Sequence, residues 1–154
     1  VVENVPPLGY ILGDEGSGAV MGRLFFNALY KGRLSERIRI AYERTTGLSM
    51  ADVIDHVYRQ PLANRFLASV CPFLAKNMDD ESLRELVIGN FRQFFRYNVS
   101  RYHRTDLKVG AIGSVAFYFS KQLKEAALAE GFAMGEVVRS PMDGLVAFHE
   151  KRRR

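Results

Sequence analysis

Along most of this chain apolar positions recur every three to four residues, the spacing of helices packed on one face. Val1–Val5 reads as the end of a strand that Pro6-Pro7 stops. Leu8–Leu12 is apolar and short, a strand or an extended approach. From about Ser17 the pattern turns helical, with Val20, Leu24, Ala28 and Leu29 recurring and Gly32 where a C-cap belongs. Ser35 opens a second helix carrying Ile38, Ile40 and Tyr42, and Gly47 follows it. Ser49 and Asp52 have capping-box spacing and start a helix with Val53, Ile54 and Val57. Pro61 suits the first turn of the next helix, whose wide apolar face holds Phe66, Leu67, Val70, Phe73 and Leu74. Asp79 or Asp80 caps a long helix that runs to about Tyr102, lined by Leu83, Leu86, Val87, Phe91, Phe94 and Phe95.

The pattern then changes. "LKVGAIGSVAFYF" predicts a strand over Leu107–Ile112, a glycine turn and a helix from about Ser114. Val115, Phe119 and Leu123 follow at four-residue spacing, with Leu128 further along, and Gly131 ends the helix. "GEVVRSP" predicts another strand, and Ser140-Pro141-x-Asp143 starts a last helix. The chain reads as one helix-rich α/β domain, 1–154. It has a helical section over 32–103 and a strand–turn–helix segment over 104–150 in which two strands embrace a helix.

Composition narrows this reading. With 154 residues, 47% hydrophobic and 25% charged, the chain is an ordinary globular domain long enough for a sizeable core. No apolar window is long enough for a membrane span, and no signal peptide precedes the first element. The opening on Val1, inside an apolar run, suggests a piece of a longer or processed protein. Of the net charge of +5, Lys151–Arg154 supply +4, so the basic balance is a solvated tail, not a nucleic-acid surface. One cysteine, Cys71, excludes an internal disulfide and points to a reducing, cytoplasmic compartment. It stands before Pro72 in an apolar segment, as a buried inert thiol would. His56, His103 and His149 are scattered without metal-ligand spacing.

Two stretches carry candidate chemistry. In "YILGDEGSGAVMG", Asp14 and Glu15 stand between glycines ahead of a helix. The partial positive charge of a helix N-terminus stabilises such acids by roughly 0.3 to 1 kcal/mol each, so they can be plain helix-end residues in a tight turn. Alternatively, one carboxylate accepts hydrogen bonds from ligand hydroxyls, which charge makes roughly twice as strong as neutral ones. The turn in "VGAIGSVAFYF" is either close packing or a place where a nucleotide lies on bare backbone.

Taken together, "LGDEGSG" and the downstream "VGAIGSVAFYF" resemble the BadF/BadG/BcrA/BcrD group, which includes N-acetylglucosamine kinase, within the sugar kinase, Hsp70 and actin superfamily. The resemblance covers nearly the whole chain. It implies two ribonuclease-H-like lobes closing on ATP and Mg2+, with this chain forming much of the second lobe and its large helical section. By the same resemblance Asp14 faces the hydroxyls of an amino sugar, with Gly9 and Gly13 on the sugar side. Gly110, Gly113 and Ser114 line the adenosine side, and Glu15, Gly16 and Gly18 shape the loop. The Gly-Trp-Gly usual ahead of the motif is reduced here to Pro7-Leu8-Gly9, and Gly113-Ser114 stands where a Gly-Gly pair is common. The first phosphate loop and the catalytic aspartate belong to the N-terminal lobe, so no catalytic residue is expected in this chain. The expected partners are the sugar and that lobe, with a homodimer left open. Some members of the group are ATPases that activate a reductase through an iron–sulfur cluster, which needs cysteine ligands this chain lacks. A helical interaction domain without any ligand is the third reading.

Overall fold

The structure, a computed structural model, describes residues 4–151. The first three residues of the expected opening strand, and Arg152–Arg154 of the basic tail, lie outside the described residues. Asn4 and Val5 have no strand partner. Leu8–Leu12 is not a strand either. It is a single helical turn, α1 (Gly9–Leu12), entered through a left-handed Leu8 with φ 62°. No neighbouring strand offers it hydrogen bonds. Instead the chain folds back on itself: the amide of Asp14 donates to Pro7 O at 2.8 Å and that of Gly13 to Gly9 O at 2.8 Å.

The central helix is α2 (Gly18–Tyr30), capped by Ser17, whose Oγ accepts from the Val20 amide at 3.2 Å. Its core face is Met21, Phe25, Phe26 and Leu29; Leu24 is only half-buried. The Phe25 ring meets Tyr42 edge-on at 5.1 Å and lies 5.8 Å from Phe73, a three-ring cluster that anchors three helices. Gly22 lets α2 cross another helix closely, because a Cβ there would fall 2.0 Å from the carbonyl oxygen of Leu67.

Around α2 stand α3 (Glu36–Thr46), capped by Ser35, and α4 (Met50–Tyr58), whose Ser49–Asp52 capping box forms as expected. Ile38, Tyr42 and Val53 point inward, while Ile40 and Ile54 are exposed. Residues two apart on a helix differ by about 200°, so Ile38 and Ile40 cannot share a face. The single helix expected over 61–74 is two, α5 (Ala63–Ala68) and α6 (Cys71–Lys76). Pro72 has no amide to continue α5, and it takes the position at a helix start where none is needed. Pro61 precedes α5 and lies outside its first turn; Leu62, left-handed at φ 62°, is the N-cap.

Asp80 caps α7 (Glu81–Tyr97), which ends five residues earlier than expected and passes into a 3-10 turn over Val99–Tyr102. The strand β1 (Lys108–Ile112) pairs in parallel with β2 (Ala133–Val138), with a bulge between the Val109 and Ala111 pairings. The expected helix between them is broken at Phe119 into α8 (Ser114–Tyr118) and α9 (Ser120–Ala129). Leu123, Ala126 and Ala127 are buried, whereas Leu128 is 79% exposed on the far side of α9. Arg84 to Glu125 (2.6 Å), and Arg92 (2.6 Å) and Arg96 (2.7 Å) to Glu130, fasten α7 to α9. The last helix, α10 (Met142–Lys151), starts after Ser140, whose Oγ accepts from the Met142 amide at 3.3 Å. The molecule is therefore a helix-rich α/β fold with a small parallel sheet. Among the described residues no helix is long and apolar enough to cross a membrane.

Candidate functional site

The loop from Gly13 to Ser17 enters α2 along a path that needs left-handed backbone twice, at Asp14 (φ 57°) and at Gly16 (φ 83°). Glycine is required at 16 for a second reason: a Cβ there would press within 3.1 Å of the Phe94 Cβ on α7. Within the loop, the Ser17 amide donates to Asp14 O at 2.9 Å. The remaining support comes from α7 and its C-cap, Asn98. Asn90, 1% exposed, accepts from the Gly16 amide at 3.1 Å through Oδ1 and donates to Ser17 O at 3.4 Å through Nδ2. Asn98 donates to Glu15 Oε2 at 3.1 Å. The half-buried Asp14 carboxylate has no hydrogen-bond or ion-pair partner among the described residues.

At the end of β1 the backbone turns at Gly113 (φ 135°) and enters α8 at Ser114. The Gly113 amide donates to Val138 O at 2.8 Å, so the turn is an extension of the sheet. This turn and the acidic loop wall one cleft of about 400 Å³. Glu15, Gly16 and Gly18 stand on one side, and Ile112, Gly113 and Ser114 on the other. The Gly18 amide, first of α2, has no acceptor among the described residues.

Two further clefts adjoin it. One of about 290 Å³ holds Asp14 and shares Glu15, Ser17 and Phe94 with the central cleft. On the opposite side, an apolar cleft of about 690 Å³ shares Ser114 and Val115 and runs over Cys71, Ala75 and Tyr118 to Arg65 and Lys76. The Arg139 guanidinium stacks over the Tyr118 ring at 5.4 Å. Burial pushes the Cys71 thiol up to about 11, so it stays protonated and non-nucleophilic at neutral pH.

Of the residues singled out by sequence, Asp14, Glu15, Gly16, Gly18, Gly113 and Ser114 line this chain of clefts. Gly13 lines a further cleft of about 540 Å³, which shares Val5, Pro7, Glu15 and Asn98 with the cleft that holds Asp14 and extends to Arg101. Gly9 sits within α1, its carbonyl taken by Gly13, and Gly110 lies in mid-strand opposite the bulge; neither lines the clefts described. Asn90, Phe94 and Asn98 escaped the sequence reading as site residues. One signal was present. Asn90 falls on the apolar stripe of α7 between Val87 and Phe94, and a polar residue on a core face needs internal partners.

A known structure carries the same arrangement of elements. The crystal structure of the putative N-acetylglucosamine kinase from Porphyromonas gingivalis superposes with a TM-score of 0.93 at 46% sequence identity. The match takes in 98% of this chain and 53% of that one, so this chain spans about half the length of its structural relative. No family model matches the chain, and no curated protein does.

Proposed function

We propose that this chain is part of an ATP-dependent sugar kinase of the N-acetylglucosamine kinase type, forming much of its C-terminal, ribonuclease-H-like lobe. The observation that carries this reading is the common cleft. The acidic loop and a bare-backbone turn nearly a hundred residues later wall one cleft, and the Asp14 carboxylate, without a partner among the described residues, lines the cleft that adjoins it. They do so in a chain whose near-superposable structural relative is described as such a kinase.

In this reading the Asp14 carboxylate accepts hydrogen bonds from two sugar hydroxyls. The central cleft takes the phosphates against the Gly18 amide, with the Gly113–Ser114 turn as its facing wall. The apolar cleft beyond Ser114 takes the adenosine, with Arg65 and Lys76 at its rim. Phosphoryl transfer needs positioning and charge neutralisation more than covalent participation by the protein. These residues supply positioning. The base that takes the hydroxyl proton belongs to the rest of the polypeptide. Mg2+ comes with the phosphates; among the described residues no three of His, Cys, Asp and Glu cluster to hold it.

The reductase-activating reading requires thiolate ligands, and the single Cys71 is half-buried with a raised thiol pKa. A ligand-free interaction domain is distinguished by melting temperature: no upward shift with millimolar ATP or N-acetylglucosamine would favour it. The decisive experiment uses the full natural polypeptide with Asp14→Asn. Asparagine tolerates the left-handed backbone of position 14, so the fold is kept while the charge is removed. The loss of charge-assisted hydrogen bonds is expected to lower kcat/KM for the sugar about 100-fold, with KM for ATP unchanged. Sugar phosphorylation at the wild-type rate would overturn the assignment of Asp14.

A further inference from the structure

Along α7 and onto its C-cap, the positions 90, 94 and 98 fall four apart, in one row facing the back of the acidic loop. Eight residues of helix span about 12 Å, enough to reach the loop at both ends. The Phe94 Cβ lies against Gly16 in the middle. Asn90 uses both halves of its amide on the Gly16 amide and the Ser17 carbonyl. Asn98 holds Glu15 at the other end. Backbone hydrogen bonds hold the loop mainly at its start, where the Gly13 and Asp14 amides bond back to Gly9 and Pro7; within the bend, among the described residues, the Ser17 amide bonds to Asp14 O.

We propose that Asn90 and Asn98 are positioning residues for the Asp14 carboxylate: Asn90 fixes the backbone turn, and Asn98 ties off Glu15 so that only one of two adjacent acids faces the ligand. Two neighbouring carboxylates left loose would compete for the same hydroxyls and repel one another. Pairing Glu15 with an amide donor removes the competitor without placing a positive charge beside Asp14. The sugar as ligand rests on the kinase reading above; the clamp itself does not.

The test uses the full natural polypeptide and two readouts. The first is deuterium uptake by the segment 13–18 without ligand. Asn98→Ala and Asn90→Asp are each expected to speed uptake there; the second variant keeps the acceptor for Gly16 and loses the donor to Ser17. The second readout is steady-state kinetics with N-acetylglucosamine and ATP. Asn98→Ala is expected to raise KM for the sugar roughly tenfold, with KM for ATP and the melting temperature unchanged. Adding Glu15→Ala or Glu15→Gln to Asn98→Ala, which removes the loosened competing charge, should recover most of that loss. A double variant as impaired as Asn98→Ala alone, or unchanged uptake in both asparagine variants, would overturn the clamp. If the wild-type protein phosphorylates no sugar, the kinase reading fails and the uptake result still decides the clamp.

Discussion

Asp80 shows how one side chain serves two elements. It is 8% exposed, and its Oδ1 accepts from the Leu83 amide (3.2 Å) as the cap of α7 and from Ser82 Oγ (2.6 Å). Its Oδ2 accepts from Ser35 Oγ at 2.5 Å, which ties the start of α3 to the start of α7, and lies 3.4 Å from the Arg37 guanidinium. Burial pushes its carboxyl up, but the hydroxyls of Ser35 and Ser82, the Leu83 amide and Arg37 outweigh it and hold the group below the usual carboxylate range. A depressed carboxylate contributes stability that is complete above the unfolded-state pKa, about 3.9, and lost as pH falls through the lower folded value. Urea denaturation should therefore show Asp80→Ala about 2 kcal/mol less stable than the wild type at pH 7, with the gap closing below about pH 4. The cap was legible from sequence as one of two adjacent aspartates. The link to Ser35 was not, because it joins residues 45 apart that only tertiary packing brings together.

At the scale of elements, periodicity located the helices well and their joints poorly. The capping serines and aspartate were readable because a cap is a local bargain between a side chain and amides two or three residues away. The breaks near Pro72 and at Phe119 were not, since each apolar face continues across the break and periodicity sees only the face. Gly22 was invisible for a related reason: within α2 it looks like a weak helix former, and its purpose lies in the backbone of α5. The same substitution should therefore act with opposite sign in two helices. Gly22→Ala should destabilise by about 3 kcal/mol, because the methyl would meet Leu67 backbone that cannot swing aside. Gly89→Ala in α7 meets no atom within 4 Å and should stabilise by about 0.5 to 1 kcal/mol. Chemical denaturation midpoints of the two variants check both signs.

For the whole molecule, the sheet is the telling element. Two parallel strands with helices between them are a fragment of the usual arrangement, in which parallel sheets are wider and covered on both faces. The structural relative is about twice as long, and in the proposed reading this narrow sheet belongs to a lobe that works against another. In the proposed kinase, catalysis needs phosphate and base groups from both lobes, so the 154-residue chain alone is expected to bind nucleotide weakly and to release no ADP above background when given N-acetylglucosamine. A coupled ADP assay beside the full polypeptide checks this. Substrate-dependent turnover by the chain alone would mean that its own side chains suffice. The acidic loop and the glycine turn could be named from sequence, and the resemblance implied that they serve one ligand cleft; no local pattern shows it, because packing across the long stretch between them decides it.

The left-handed backbone at Asp14 has one last implication. A residue with a Cβ is held there at a local cost of about 1 kcal/mol, at the very position whose carboxylate has no partner among the described residues. Glycine would sit there more easily. A thermostability screen blind to ligand would thus reward erasing this acid, and a library ranked by heat resistance alone would drift toward well-folded molecules without the carboxylate that the proposed kinase uses to hold its sugar.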